Sequence, residues 1–216
     1  MATFRYCGMG GCILLVLAVI WAALGYHGKR QETYSPFNHF ISELGEVGVS
    51  RRAWAFNAGL IASGILLLPF MIGLGLTLDT VWGKLGILAG LWSAISIILV
   101  GVFSMDNITP HMRAAVSYFR GGLVTVFFFG VAILAQPAGR QAVPQYANIL
   151  SLLAFAAYAS FLILMGDHKV GGETGSILNP EDTPTRPRFW LFAILEWAVF
   201  FSTILWFFCI ALAAKA

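Results

Sequence analysis

Residues 189–214 read FWLFAILEWAVFFSTILWFFCIALAA, an apolar run with one charge in it, Glu196. A hydrocarbon core about 30 Å thick needs about 20 helical residues to cross it. Only a helix or a closed barrel satisfies its own backbone in lipid, so a run of this length reads as a membrane-spanning helix. The same reading along the chain gives five further spans, at 10–26, 53–78, 83–105, 112–136 and 146–166. The expected fold is all-α: a polytopic six-helix transmembrane bundle forming one integral membrane domain over 1–216. Composition agrees, since 59% of the 216 residues are hydrophobic and 11% charged. An average soluble domain is about 25% charged. The net charge of +3 is small and dispersed, which argues against nucleic acid as a partner.

With six spans, the polar segments 27–52, 106–111 and 167–188 share one face, and both termini lie on the other. The polar-loop face carries eight Lys and Arg against four on the termini face. The positive-inside rule then puts the polar loops in the cytoplasm. The first run lacks a small-x-small cleavage site and reads as a retained span. Pro69 is expected to kink the second span. Gly86-x-x-x-Gly90 would let helices approach closely. Cys7, Cys12 and Cys209 form no CxxC spacing and read as small buried hydrophobes. The four histidines show no HxxxH or HExxH spacing, which argues against a haem held between two helices.

The densest polar segment is Tyr34-Ser35-Pro36-Phe37-Asn38-His39-Phe40-Ile41-Ser42-Glu43-Leu44-Gly45-Glu46. Phe37, Phe40, Ile41 and Leu44 recur at i, i+3, i+4 and i+7, the pattern of a short amphipathic helix lying in the interface. Its polar side would show Asn38, His39, Ser42 and Glu46, with Glu43 beside them. Either it is a wet lid without chemistry or it lines a site. Asp106 ends the third span and His111 opens the fourth. The two either close a tight turn or orient a water or a metal. Asn57 is a shallow polar candidate in the second span.

Arg120 and Glu196 are ionisable residues inside apolar runs, where a charge costs about 2.5–3.5 kcal/mol on insertion scales. Counted from His111 and Arg188, both lie roughly 12–14 Å below the polar-loop face. They are expected at matching depth, either as a buried ion pair or as the charged floor of a cavity, with Arg120 clasping a phosphate or carboxylate.

Ser42-Glu43-Leu44-Gly45-Glu46, then Phe56-Asn57-Ala58-Gly59-Leu60, resemble membrane proteins of the domain-of-unknown-function 998 family. Gly101-Val102-Phe103, Asp106, His111, Ala114-Ala115 and Phe119 continue the likeness, with Ser104 where the family pattern has proline. A more distant similarity is to the Frag/DRAM/Sfk group, which has six spans and an association with lipid homeostasis. The resemblance implies the six-span fold and a functional polar-loop face. It supplies no mechanism.

Three functions follow as expectations. The first is binding of a membrane lipid or an anionic headgroup in a polar cavity on the polar-loop face. Arg120 would take the charge, and His39, Ser42, Glu43, Asn57, Asp106, His111 and Glu196 would line the site. The second is a metal- or water-dependent intramembrane lipid hydrolase or transferase, with a divalent metal on His39, Glu43, Asp106 and His111. The third is a non-catalytic accessory subunit of a membrane complex, with Phe127-Phe128-Phe129 and Phe200-Phe201 as the partner surface. A transporter is disfavoured by the lack of an inverted repeat.

Overall fold

The computed structural model describes residues 3–137, 139–170 and 186–215, the last four residues before the gap by their backbone alone. Most of the last polar loop, with the His168 side chain, therefore lies outside the described residues. Six helices are long and apolar enough to span a membrane. They are α1 (Thr3–Ala23), α2 (Ala53–Leu78), α3 (Val81–Val102), α4 (Ile108–Leu134), α5 (Asn148–Val170) and α6 (Leu191–Ala213). There is no strand among the described residues.

Each helix packs against its neighbours in chain order, and α6 returns to α1, so the six form a closed ring. The half of the ring nearer the termini is filled with aromatic side chains. Phe70, Phe129 and Trp206 are buried there. Phe70 meets Phe207 edge-on, with centroids 5.8 Å apart. Gly86 and Gly90 on α3 admit Phe129 of α4 and Met71 of α2, each at 2.7 Å from where a Cβ would stand. That close approach is the use expected of the small-x-x-x-small pattern.

The helix ends explain where the expected spans shift. α1 begins seven residues earlier than expected because Arg5 reaches the end of α6, donating to Ala211 O at 2.8 Å and Leu212 O at 2.7 Å. A guanidinium is favourable there, on the negative end of the helix. On the same face, buried Gln136 closes the α4–α5 connection. Its amide nitrogen donates to Ile133 O and Val143 O, and its oxygen accepts from Ala142 N–H and Val143 N–H. α4 starts at Ile108, earlier than expected, whereas α6 starts later, at Leu191. α2 runs continuously through Pro69.

The opposite mouth of the ring is stopped by the loop between α1 and α2. Its helix is a five-residue 3₁₀ turn, Ile41–Gly45, packed against α1, α2 and α6. Phe40 and Leu44 are buried, and of the four expected apolar anchors Phe37 alone is exposed. The segment therefore enters the bundle, where the sequence pattern suggested a longer helix lying in the interface. Periodicity reports which residues seek apolar surroundings, and the ring's open mouth supplies them.

Candidate functional site

A backbone segment that enters a bundle must bring partners for its N–H and C=O groups. Three side chains provide them. The Glu196 carboxyl of α6 accepts from Ile41 N–H at 2.6 Å and from the N–H and hydroxyl of Ser42, the donors left open at the start of the 3₁₀ turn. Asn57 of α2 donates to Gly45 O at 3.0 Å, holding the other end. Glu43 reaches back to Phe40 N–H at 2.8 Å.

Glu43 is 2% exposed, and three further donor contacts satisfy its carboxylate. Arg186 Nη1 and Nη2 bind its two oxygens at 2.9 Å each, a bidentate fork. The Tyr26 hydroxyl donates to the same carboxylate at 3.2 Å. Burial opposes the Arg186 charge, but the hydrogen bonds and charge of Glu43 outweigh it and hold the guanidinium above its ordinary pKa. Burial, with Glu43 adding to it, pushes the Tyr26 phenol well above its usual range. Arg186 also donates to Asn38 O at 2.8 Å, Asn38 donates to Pro187 O at 3.0 Å, and Trp190 N–H donates to Phe37 O at 2.8 Å. The segment leading into α6 is thus stapled onto the first loop.

Beside this pair opens a cavity of about 750 Å³ on the polar-loop face, lined in part by Tyr26, Glu32, His39, Glu43, Asp106 and Arg186. His39 is 2% exposed, and its Nε2 has no hydrogen-bond partner among the described residues. It lies 3.8 Å from Glu32 Oε1. Its other nitrogen, Nδ1, lies 2.8 Å from Asn38 Oδ1. Burial lowers the His39 pKa, with Arg186 adding to it, while Glu43, the Ser35 carbonyl and Glu32 oppose it. His39 is therefore neutral at pH 7. Tyr26 and Tyr34 pack their rings on it, at centroid distances of 5.4 and 5.1 Å.

The other expected site residues fall in three places. Asp106 is exposed at the cavity rim, where the Ser104 hydroxyl binds it and lowers its pKa. His111 Nδ1 donates to Phe103 O, 2.7 Å away, closing the α3–α4 turn. It faces a second, small cavity of about 60 Å³ that it shares with Ser42, Tyr118 and Glu196. Arg120 is exposed on the outer side of α4 and lines neither cavity.

The expected Arg120–Glu196 pairing is corrected by these positions. Arg120 lies twelve residues into α4 and Glu196 five into α6, so they differ in depth by roughly 10 Å at about 1.5 Å per residue. Their side chains also face opposite ways, Arg120 outward and Glu196 inward. The expected metal set is divided as well: His39 and Glu43 lie at the large cavity and His111 at the small one. Among the described residues no three His, Cys, Asp or Glu side chains group closely enough to hold a metal. The residue that sequence reasoning missed is Arg186. It stands 143 positions from Glu43, in a Pro-rich segment whose only signal was its place before the last span.

The chain belongs to the family described as a protein of unknown function (DUF998), whose model matches residues 9–213. No curated protein and no solved structure matches it. The distant likeness to the Frag/DRAM/Sfk group rests on the sequence resemblance alone.

Proposed function

We propose that this DUF998 member binds the polar headgroup of a membrane lipid in the cavity beside the Glu43–Arg186 pair. The observation that carries the reading is His39 Nε2, a polar atom buried without a partner among the described residues, in a side chain that lines the cavity. Buried polar groups in proteins are nearly always hydrogen-bonded, so such an atom calls for one. A volume of about 750 Å³ is of the size that holds a small ligand or headgroup. Ile108 lines the cavity and is 40% exposed, so the site has an apolar edge at the start of a spanning helix. Lys and Arg counts favour the cytoplasmic side for this face, from whose leaflet the lipid would then come.

Native mass spectrometry of protein released from mild detergent tests the reading. One lipid class should be retained by the parent protein and by Arg120→Leu, and lost in His39→Leu, with each variant shown to be folded by its melting curve. Equal retention in folded His39→Leu would overturn it.

The accessory-subunit reading keeps one observation. Arg120 and Phe127, seven residues apart, are both exposed on one side of α4. An arginine at that depth favours a polar neighbour, or stretches to the headgroups.

A further inference from the structure

Resting on that reading, we infer that the group taken by His39 and Glu32 is a primary ammonium, as carried by an aminated lipid headgroup. The argument begins with the proton on His39. Asn38 Nδ2 donates to Pro187 O at 3.0 Å, which fixes the amide so that Oδ1 turns to the imidazole. Oδ1 lies 2.8 Å from Nδ1, the shortest contact of that nitrogen. An amide oxygen can only accept, so Nδ1 carries the hydrogen. Nδ1 also lies 3.2 Å from Ser35 O, a second acceptor that suits the same tautomer. The Ser35 N–H, 3.2 Å from Nδ1, is the weaker contact and loses. In a neutral imidazole with Nδ1–H, Nε2 holds a lone pair.

His39 and Glu32 both line the cavity, and Nε2, an acceptor in this tautomer, lies 3.8 Å from Glu32 Oε1. Two acceptors at that separation repel each other unless a donor sits between them. A nitrogen at an ordinary hydrogen-bond distance of about 2.9 Å from both fits there. Charge favours a cation. The described lining carries the bases Lys29, Arg30 and Arg186 against the acids Glu32, Glu43, Glu46 and Asp106. Arg186 binds Glu43 at 2.9 Å and lies 4.0 Å from Glu32 Oε1, and Lys29 lies 3.1 Å from Glu46. A quaternary ammonium has no N–H to offer Nε2, and an anionic headgroup would meet Glu32. The cavity so built separates phosphatidylethanolamine from phosphatidylcholine and phosphatidylglycerol, a distinction the expected Arg120 clasp would have reversed.

Nanodiscs doped with each of the three lipids, in a background of none of them, test this by binding of fluorescent headgroup-intact analogues. Phosphatidylethanolamine should bind about tenfold or more tightly than either other lipid, the scale of one hydrogen bond to a charged group. Glu32→Gln and His39→Leu should each remove that preference. Soluble phosphoethanolamine is the second arm: competition at equal concentration would assign the site to a free amine, and no competition to the lipid. Affinity should be full above the His39 pKa and fall as pH drops below 6.5 through it, since protonation removes the lone pair. The groups facing His39 that set this are Glu32, Glu43 and Arg186, with Tyr26 and Tyr34 stacked on the ring. Binding of phosphatidylglycerol or phosphatidylcholine that depends on His39 would overturn the ammonium assignment and leave the headgroup site standing. Binding that ignores His39→Leu in all three lipids would overturn both.

Discussion

Glu196→Gln separates two explanations of a charge inside the membrane. In the structure, the carboxyl of Glu196 receives Ile41 N–H, Ser42 N–H and the Ser42 hydroxyl. A glutamine keeps one oxygen and turns an NH₂ toward a donor, so at least one of these three donors loses its acceptor. That costs about 1–3 kcal/mol. For a chain of this size, about 1 kcal/mol moves a melting temperature by about 2–4 °C, so a fall of roughly 3–10 °C is expected. Tryptophan fluorescence reads it locally, because Trp197 is the next residue and its Nε1 donates to His39 O at 3.2 Å. Arg120→Leu should leave the melting temperature unchanged or raise it, since it removes a charge from the outer side of a spanning helix. The double variant should then be additive within about 0.5 kcal/mol, as for independent sites. An equal loss in Arg120→Leu, with strong coupling in the double variant, would refute the capping account and restore an ion pair between α4 and α6.

Two further outcomes follow from the same site. Glu43→Ala should destabilise less than Arg186→Ala, because the glutamate is the more buried member of the pair. The side chains are 3% and 15% exposed respectively, so removing Arg186 leaves the more buried charge unpaired and costs more, up to about 3–5 kcal/mol in denaturant melts. Stability should also fall with pH below 6.5. His39 is held neutral in the fold, so the unfolded chain binds the extra proton first, and stability is lost from about pH 6.5 down to the lowered folded pKa. A melting temperature that shows the same fall between pH 7.5 and 5.5 in His39→Gln would assign the effect elsewhere.

Span number was legible because hydrocarbon thickness sets a length that six runs meet. The polar-loop face was legible for the same reason. Ser42, Glu43 and Asn57 stood out as polar residues near apolar runs, and the structure uses all three on one segment. Arg120 misled because depth was counted from residues that are not the helix starts: α4 begins before His111 and α6 after Arg188. Which side of a helix faces inward also depends on its neighbours in the ring. Arg186 was illegible because its partner is fixed by tertiary packing across the first and last loops, with no local pattern to announce it.

The most direct measurement is ¹⁵N NMR of histidine-labelled protein in nanodiscs, with His39 assigned by comparison with His39→Gln. The account predicts a neutral His39 with its proton on Nδ1, and an Nε2 resonance that moves when phosphatidylethanolamine is added and stays when phosphatidylcholine is added. A proton on Nε2 in the free protein, or an Nε2 resonance indifferent to every lipid, would contradict it.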